Sequence, residues 1–210
     1  VLHFDNFIRV YFSCRPKPDE KGQYVSYSAF VDFDFDFKII KISEEPILKL
    51  GKLGCFDEFG TYPVSVIKIE NEYYCYYAGW TRCESVPFNT AIGLAKSNDS
   101  ISFEKIGDGQ LISYSIDEPF VISGPKIRKF NKKYYLFYIA GTEWILDNGK
   151  PEPIYKIRMA ESIDGINFKK LNKQLIEDKL GSYEAQASPD VFFKNGKYHM
   201  FFCYRGGKEY

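Results

Sequence analysis

The chain has 210 residues, enough for one sizeable core and short for two full domains. Lysine plus arginine and aspartate plus glutamate both number 28, so the formal net charge is zero and no basic field is present to hold nucleic acid by counterion release. Hydrophobic residues are 45% and aromatics 18%, with 17 Tyr and 19 Phe, which favours half-buried strands over long helices. No apolar run reaches the roughly 18 residues of a membrane helix, so no membrane insertion is expected. Five cysteines (Cys14, Cys55, Cys75, Cys83, Cys203) form no CxxC pair and have no histidine-rich neighbours. A disulfide framework, a zinc site or another cofactor is therefore not expected, and unpaired thiols lean towards a reducing, cytoplasmic compartment.

In chain order, short apolar runs broken by Gly, Asn, Asp and Pro predict strands at Ile8–Ser13, Tyr24–Asp32 and Phe35–Ile42. The next group is Pro63–Ile69, Tyr73–Gly79, Ala91–Ser97 and Phe103–Ile106, followed by Pro125–Phe130, Lys133–Ala140, Tyr155–Ser162 and Phe168–Leu171. Pro189–Phe193 and Lys197–Tyr204 close the series. No convincing amphipathic helix interrupts them, so the reading is an all-β chain. The run VDFDFDFK at Val31–Lys38 alternates strictly, which predicts that its aspartates face water.

One construction occurs three times: FDEFGTYPVSVIKIENEYYCYYAGW from Phe56, DEPFVISGPKIRKFNKKYYLFYIAG from Asp117 and YEAQASPDVFFKNGKYHMFFCYR from Tyr183. Aligned on Pro63, Pro125 and Pro189, a carboxylate stands five to seven residues before each proline: Asp57, Glu118 and Glu184. Tyr73, Tyr134 and Tyr198 correspond at offsets of 61 and 64 residues. Asn71-Glu72, Asn131-Lys132 and Asn195-Gly196 read as hairpin turns between first and second strands. SNDSISF at Ser97 and SIDGINF at Ser162 match at an offset of 65, as connections between third and fourth strands. A four-stranded unit at this period suits a propeller blade, covered on both faces, which explains YYCYYAG without polar alternation. The expected units are blade A at 8–42 without its first strand, blade B at 62–107, blade C at 123–171 and a partial blade D at 187–204. That is about three and a half blades of a single domain, which reads as a segment of a longer propeller starting mid-domain at Val1.

In a propeller the first strand of each blade lines the channel, so residues just before it are expected to converge at the channel mouth. A ring of carboxylates there suits glycosidic chemistry, in which one acid protonates the leaving oxygen and a second carboxylate activates water or attacks the sugar carbon. Mutual repulsion would help to keep one of them protonated.

FDEFGTYP, VPFNTAIGLAKSND, DEPFVISGP and AESIDGINF resemble the glycosidase-like five-bladed propellers, a group that includes glycoside hydrolase families 43, 32 and 130 and uncharacterised relatives. The resemblance implies a carbohydrate-active protein acting on an oligosaccharide or glycoside without a cofactor. Carried over by position from family 43, Asp57 is the pKa-tuning aspartate and Glu118 the general acid. The general base lies on the first strand of blade A, which the sequence is read as lacking. Glu184 has no fixed family role and is read as holding a sugar hydroxyl. Alternatives are a phosphate-dependent phosphorylase of the family 130 kind, with Arg82, Arg158 and Arg205 as available cations, and a propeller that binds glycans without chemistry.

Trp80 and Trp144 end the second strands of blades B and C, before the loops TRCESVPFNT and ILDNGKPEP. Each is a candidate to stack on a sugar ring, against plain packing between blades. Arg15 and Arg205 follow YFSC and FFCY at the same place in blades A and D, suited to clamp a substrate carboxylate or to form an ion pair. His199 in KYHMFF reads as a strand residue, and Glu143 and Glu161 as surface groups.

Overall fold

The structure, a computed structural model, describes residues 1–20, 22–181 and 183–206. All regular elements among these residues are strands. The first sheet contains β1 (Leu2–His3), β2 (Ile8–Cys14), β3 (Tyr27–Phe33) and β4 (Ile39–Ile42). The second contains β5 (Val64–Ile69), β6 (Glu72–Arg82), β7 (Phe88–Ser97) and β8 (Glu104–Lys105). The third contains β9 (Phe120–Phe130), β10 (Lys133–Asp147), β11 (Lys150–Ser162) and β12 (Lys169–Lys170). A two-stranded sheet pairs β13 (Ala185–Lys194) with β14 (Lys197–Arg205). Each sheet is an antiparallel meander in chain order. These are the blades A to D of a β-propeller.

Local chemistry sets the turns. Asn131-Lys132 and Asn195-Gly196 carry positive φ and join strands in tight register, Phe130 opposite Lys133 and Lys194 opposite Lys197. In blade B the register places Ile69 opposite Glu72, so the two turn residues are Glu70-Asn71, one position earlier than read from sequence. The Ser-x-Asp connections repeat atom for atom. Ser97 Oγ accepts the Ser100 N–H at 2.9 Å, as Ser162 Oγ accepts that of Gly165 at 2.9 Å. Asp99 and Asp164 each accept the N–H two residues on at 2.8 Å. At Asp164, the Asn167 side chain and backbone N–H and the Ile166 N–H hold the carboxyl below the usual carboxylate range.

Packing occurs between neighbouring blades. Phe30, Ile47 and Leu48 meet Val66, Cys75 and Tyr77 in the core between A and B. Tyr74, Tyr76, Ile92 and Leu94 meet Ile122, Ile127 and Leu136 between B and C. Each large apolar side chain buried there contributes about 1.5–3 kcal/mol. In blades A and B a tyrosine of the second strand reaches the Ser-x-Asp turn of the next blade: Tyr11 donates to the Ser100 carbonyl at 2.8 Å, and Tyr76 to that of Gly165 at 2.6 Å.

Four sequence expectations are corrected here. Blade A does hold part of a first strand, because Leu2 and His3 pair with Arg9 and Ile8. Asp32 of the alternating run does not face water; it is buried against Arg9 at 2.7 Å, while Arg9 also stacks on Phe30 and donates to Ser100 Oγ. Alternation fails at Asp34, whose carboxylate accepts the N–H groups of Asp36 and Lys38 and makes a turn where a strand from Phe35 was expected. The segment after Trp144 is not a long loop, since β10 and β11 continue to a two-residue turn at Asn148-Gly149. All five cysteines are free thiols; Cys75 is buried in β6 and Cys203 is exposed on β14.

Candidate functional site

The loop before each inner strand bends down across its own blade, and this decides where the carboxylates lie. In blade B the loop packs Phe56 and Asp57 onto β6 at Gly79, where an added Cβ would stand 2.4 Å from both Asp57 Cβ and the Phe56 ring. In blade C the equivalent Gly141 lies beneath Phe120, with 2.8 Å left for a Cβ. The Ala-Gly of YYAG and YIAG is therefore the floor on which these loops rest, a meaning that sequence reading did not extract.

Asp57 is 1% exposed and accepts from the Tyr77 hydroxyl at 2.9 Å. Lys105 on the outer strand β8 pairs with the same carboxylate oxygen at 2.5 Å, off the direction of a hydrogen bond. Glu118 is fully buried and repeats this set: Tyr138 donates to it at 2.9 and 3.1 Å, Lys170 on β12 pairs at 2.6 Å, and Arg158 adds a contact at 3.4 Å. Burial, then the adjoining carboxylate, raises the pKa of Tyr77 and of Tyr138, so both phenols remain donors. Glu184, 1% exposed, accepts the Lys179 and Leu180 N–H groups at 2.7 and 2.8 Å and the Gln186 amide at 2.9 Å. Burial pushes this carboxyl up, but those hydrogen bonds outweigh it and leave its pKa below the usual value.

Each carboxylate is thus held within its own blade by donors and, for Asp57 and Glu118, by cations. For Asp57 the groups in contact are a phenol and an ammonium, and for Glu118 a phenol, an ammonium and a guanidinium, whereas Glu184 also feels the Asp178 carboxylate. The partners Lys105, Lys170, Tyr77 and Tyr138 were missed in the sequence, although the spacing of 20 residues from carboxylate to tyrosine is the same in both blades.

An open cleft of about 560 Å³ lies instead at the end of the sheets where inner strands begin and second strands finish. Arg15 follows β2, Tyr24 precedes β3, Tyr62 precedes β5, Trp80 and Arg82 end β6, and Phe88 and Thr90 open β7. Trp80 reaches its place because Gly60 has no side chain: a Cβ there would lie 1.6 Å from the indole nitrogen. The Arg82 guanidinium stacks on Phe59 at 4.1 Å, donates to the Tyr24 carbonyl at 3.1 Å and lies 3.4 Å from Asp19. Arg15 donates from Nε to Ser26 Oγ at 3.2 Å. Thr90 is 8% exposed and its hydroxyl has no hydrogen-bond partner.

Of the residues singled out from sequence, Trp80, Arg82 and Arg15 therefore come together in this cleft, while Asp57, Glu118 and Glu184 do not line it. Trp144 stands behind it, its ring edge-on to Phe88 at 5.5 Å. Arg205 lies elsewhere, against Glu152 and the Pro153 carbonyl of blade C. Arg158 serves Glu118 and the Asp117 carbonyl. His199 is an exposed strand residue stacked on Phe192. Among the described residues no three His, Cys, Asp or Glu side chains group as metal ligands.

Comparison with known proteins follows the same lines. No family model matches the chain. It is 30% identical over 203 residues to uncharacterized proteins of two Mycobacterium tuberculosis strains, which covers 97% of this chain and 66% of theirs. The chain thus spans 66% of the length of these curated relatives. It is 27% identical over 176 residues to a β-1,2-mannobiose phosphorylase of Thermoanaerobacter, covering 79% of this chain and 54% of that protein. Among solved structures, the Bombyx mori family 32 β-fructofuranosidase superposes with a TM-score of 0.71 at 18% identity, over 97% of this chain and 40% of the enzyme. An α-L-arabinofuranosidase from Lactobacillus brevis gives 0.64 at 13% identity, over 97% and 63%. With three four-stranded meanders and a further hairpin arranged as in these enzymes, the chain has the fold of the glycosidase-type five-bladed β-propellers.

Proposed function

We propose that this propeller is a carbohydrate-active protein that seats a glycan in the cleft of Trp80, Arg82, Arg15 and Thr90. The observation that carries the reading is the half-buried Trp80 lining this cleft, beside two arginines and a buried hydroxyl without a partner, on the end of the propeller where inner strands begin. An indole offers a sugar a flat apolar face, and arginine and threonine offer donors for its hydroxyls.

Cleavage of a glycosidic bond needs an acid within hydrogen-bond reach of the leaving oxygen. Glu118 and Asp57 have the family positions for acid and tuning residue, but their burial and partners favour another role. We assign both, with Glu184, to fixing the crossing loops and hence the rim of the cleft. Catalysis by the whole protein then rests on carboxylates other than these three. Phosphorolysis is the second reading, favoured by the similarity to the mannobiose phosphorylase together with two arginines at the cleft.

The test is a titration of oligosaccharides against the protein and its Trp80→Ala variant, beside a screen for sugar release with and without phosphate. Binding lost in the variant supports the cleft. Binding untouched by Trp80→Ala refutes it. Release that appears only with phosphate selects the second reading.

A further inference from the structure

We infer that the sugar accepted by this cleft carries one negative charge, as a uronate does; the inference rests on the cleft being the glycan site. Among the described residues that line it, the charged ones are Arg15 and Arg82, with no carboxylate. In a chain of zero formal net charge, two cations in one concavity set a local preference for an anion.

The state of the two guanidinium groups decides which anion fits. Arg82 is held flat on Phe59, with one edge on the Tyr24 carbonyl and its charge partly met by Asp19 at 3.4 Å. Arg15 is steadied through Nε by Ser26, while its two terminal nitrogens meet no acceptor among the described residues. Those nitrogens form a planar fork that matches a carboxylate in a bidentate pair. With the Asp19 carboxylate beside Arg82 counted, the two guanidinium groups leave a formal charge of about one. A carboxylate balances that charge, whereas a phosphate monoester brings nearly two negative charges at neutral pH. The remaining polar group, the Thr90 hydroxyl, is buried without a partner and suits a ring hydroxyl of the same sugar.

The probes are disaccharide pairs that differ only at C6 of one residue, carboxylate against hydroxymethyl, built on glucose, galactose and mannose. Calorimetric titration should find a pair in which the uronate binds at least about tenfold more tightly than its neutral twin, the range of a charged hydrogen-bonded contact. That advantage should shrink with added salt and vanish in Arg15→Gln, a change at an exposed side chain that leaves the fold intact. Equal binding of both members of every pair, abolished by Trp80→Ala, would overturn the charge preference and leave the cleft reading standing. Absence of binding by all probes would overturn both. Tight binding of inorganic phosphate alone, lost in Arg15→Gln, would assign the arginines to free phosphate and overturn the uronate.

Discussion

Removal of the Lys170 ammonium, as Lys170→Met, separates the two roles open to Glu118. Glu118 is fully buried, and Lys170 meets it at 2.6 Å with its own side chain 18% exposed. Breaking a buried pair by taking one partner costs about 3–5 kcal/mol when nothing replaces it. Here Tyr138 still donates to the carboxylate and Arg158 stands 3.4 Å away, so the expected loss is about 2–3 kcal/mol. Glu118→Gln keeps the shape and an acceptor for Tyr138 but leaves Lys170 only the Ser113 carbonyl, for a loss of about 2 kcal/mol. The two changes share one contact, and the double variant should be less destabilised than their sum by about 1–2 kcal/mol. Urea unfolding at constant m-value measures all three. If Glu118→Gln changes stability by less than about 0.5 kcal/mol yet removes glycoside turnover, Glu118 is the acid of the reaction and the structural role argued for it is wrong.

Other outcomes follow from the same geometry. Trp80→Ala should weaken glycan binding about tenfold through loss of the stacking face, with little change in unfolding midpoint. Gly60→Ala should mimic it, because the added methyl occupies the indole's position; unchanged affinity would show that Trp80 has no part in binding. Tyr76→Phe removes the bond to the Gly165 carbonyl between blades B and C and should cost about 1–3 kcal/mol, read by thermal unfolding. Because the folded Glu184 pKa lies below its ordinary 4.5, this group stabilises the fold above that pH and the contribution fades as pH falls through the lowered value. Gln186→Ala should therefore flatten the acid limb of a stability–pH curve, and an unaltered limb would refute the assignment.

The blades were legible in the sequence because their signals are local and repeated. Asparagine turns, the Ser-x-Asp connections and continuous aromatic strands each report on a few neighbouring residues, and the period multiplies them. The carboxylates were legible as a set but not as to their surroundings. That Asp57 meets Lys105 depends on the path of a loop over β6, and Gly79 leaves room for that path. Asp32 was misread for a related reason: its partner Arg9 is on the adjacent strand, and alternation alone cannot report a charge paired inside the sheet stack. Trp80 and Arg15 are legible through their place at strand ends, which is also the end on which the cleft opens, and Arg82 only as a cation available to phosphate.

The structure of the protein with a bound oligosaccharide tests the central claim most directly. The account predicts a sugar ring against the Trp80 indole with polar contacts to Arg15, Arg82 or Thr90, and Glu118 still paired with Lys170 and Tyr138. A ring within hydrogen-bond reach of Glu118 or Asp57, with the lysine partner displaced, would contradict it.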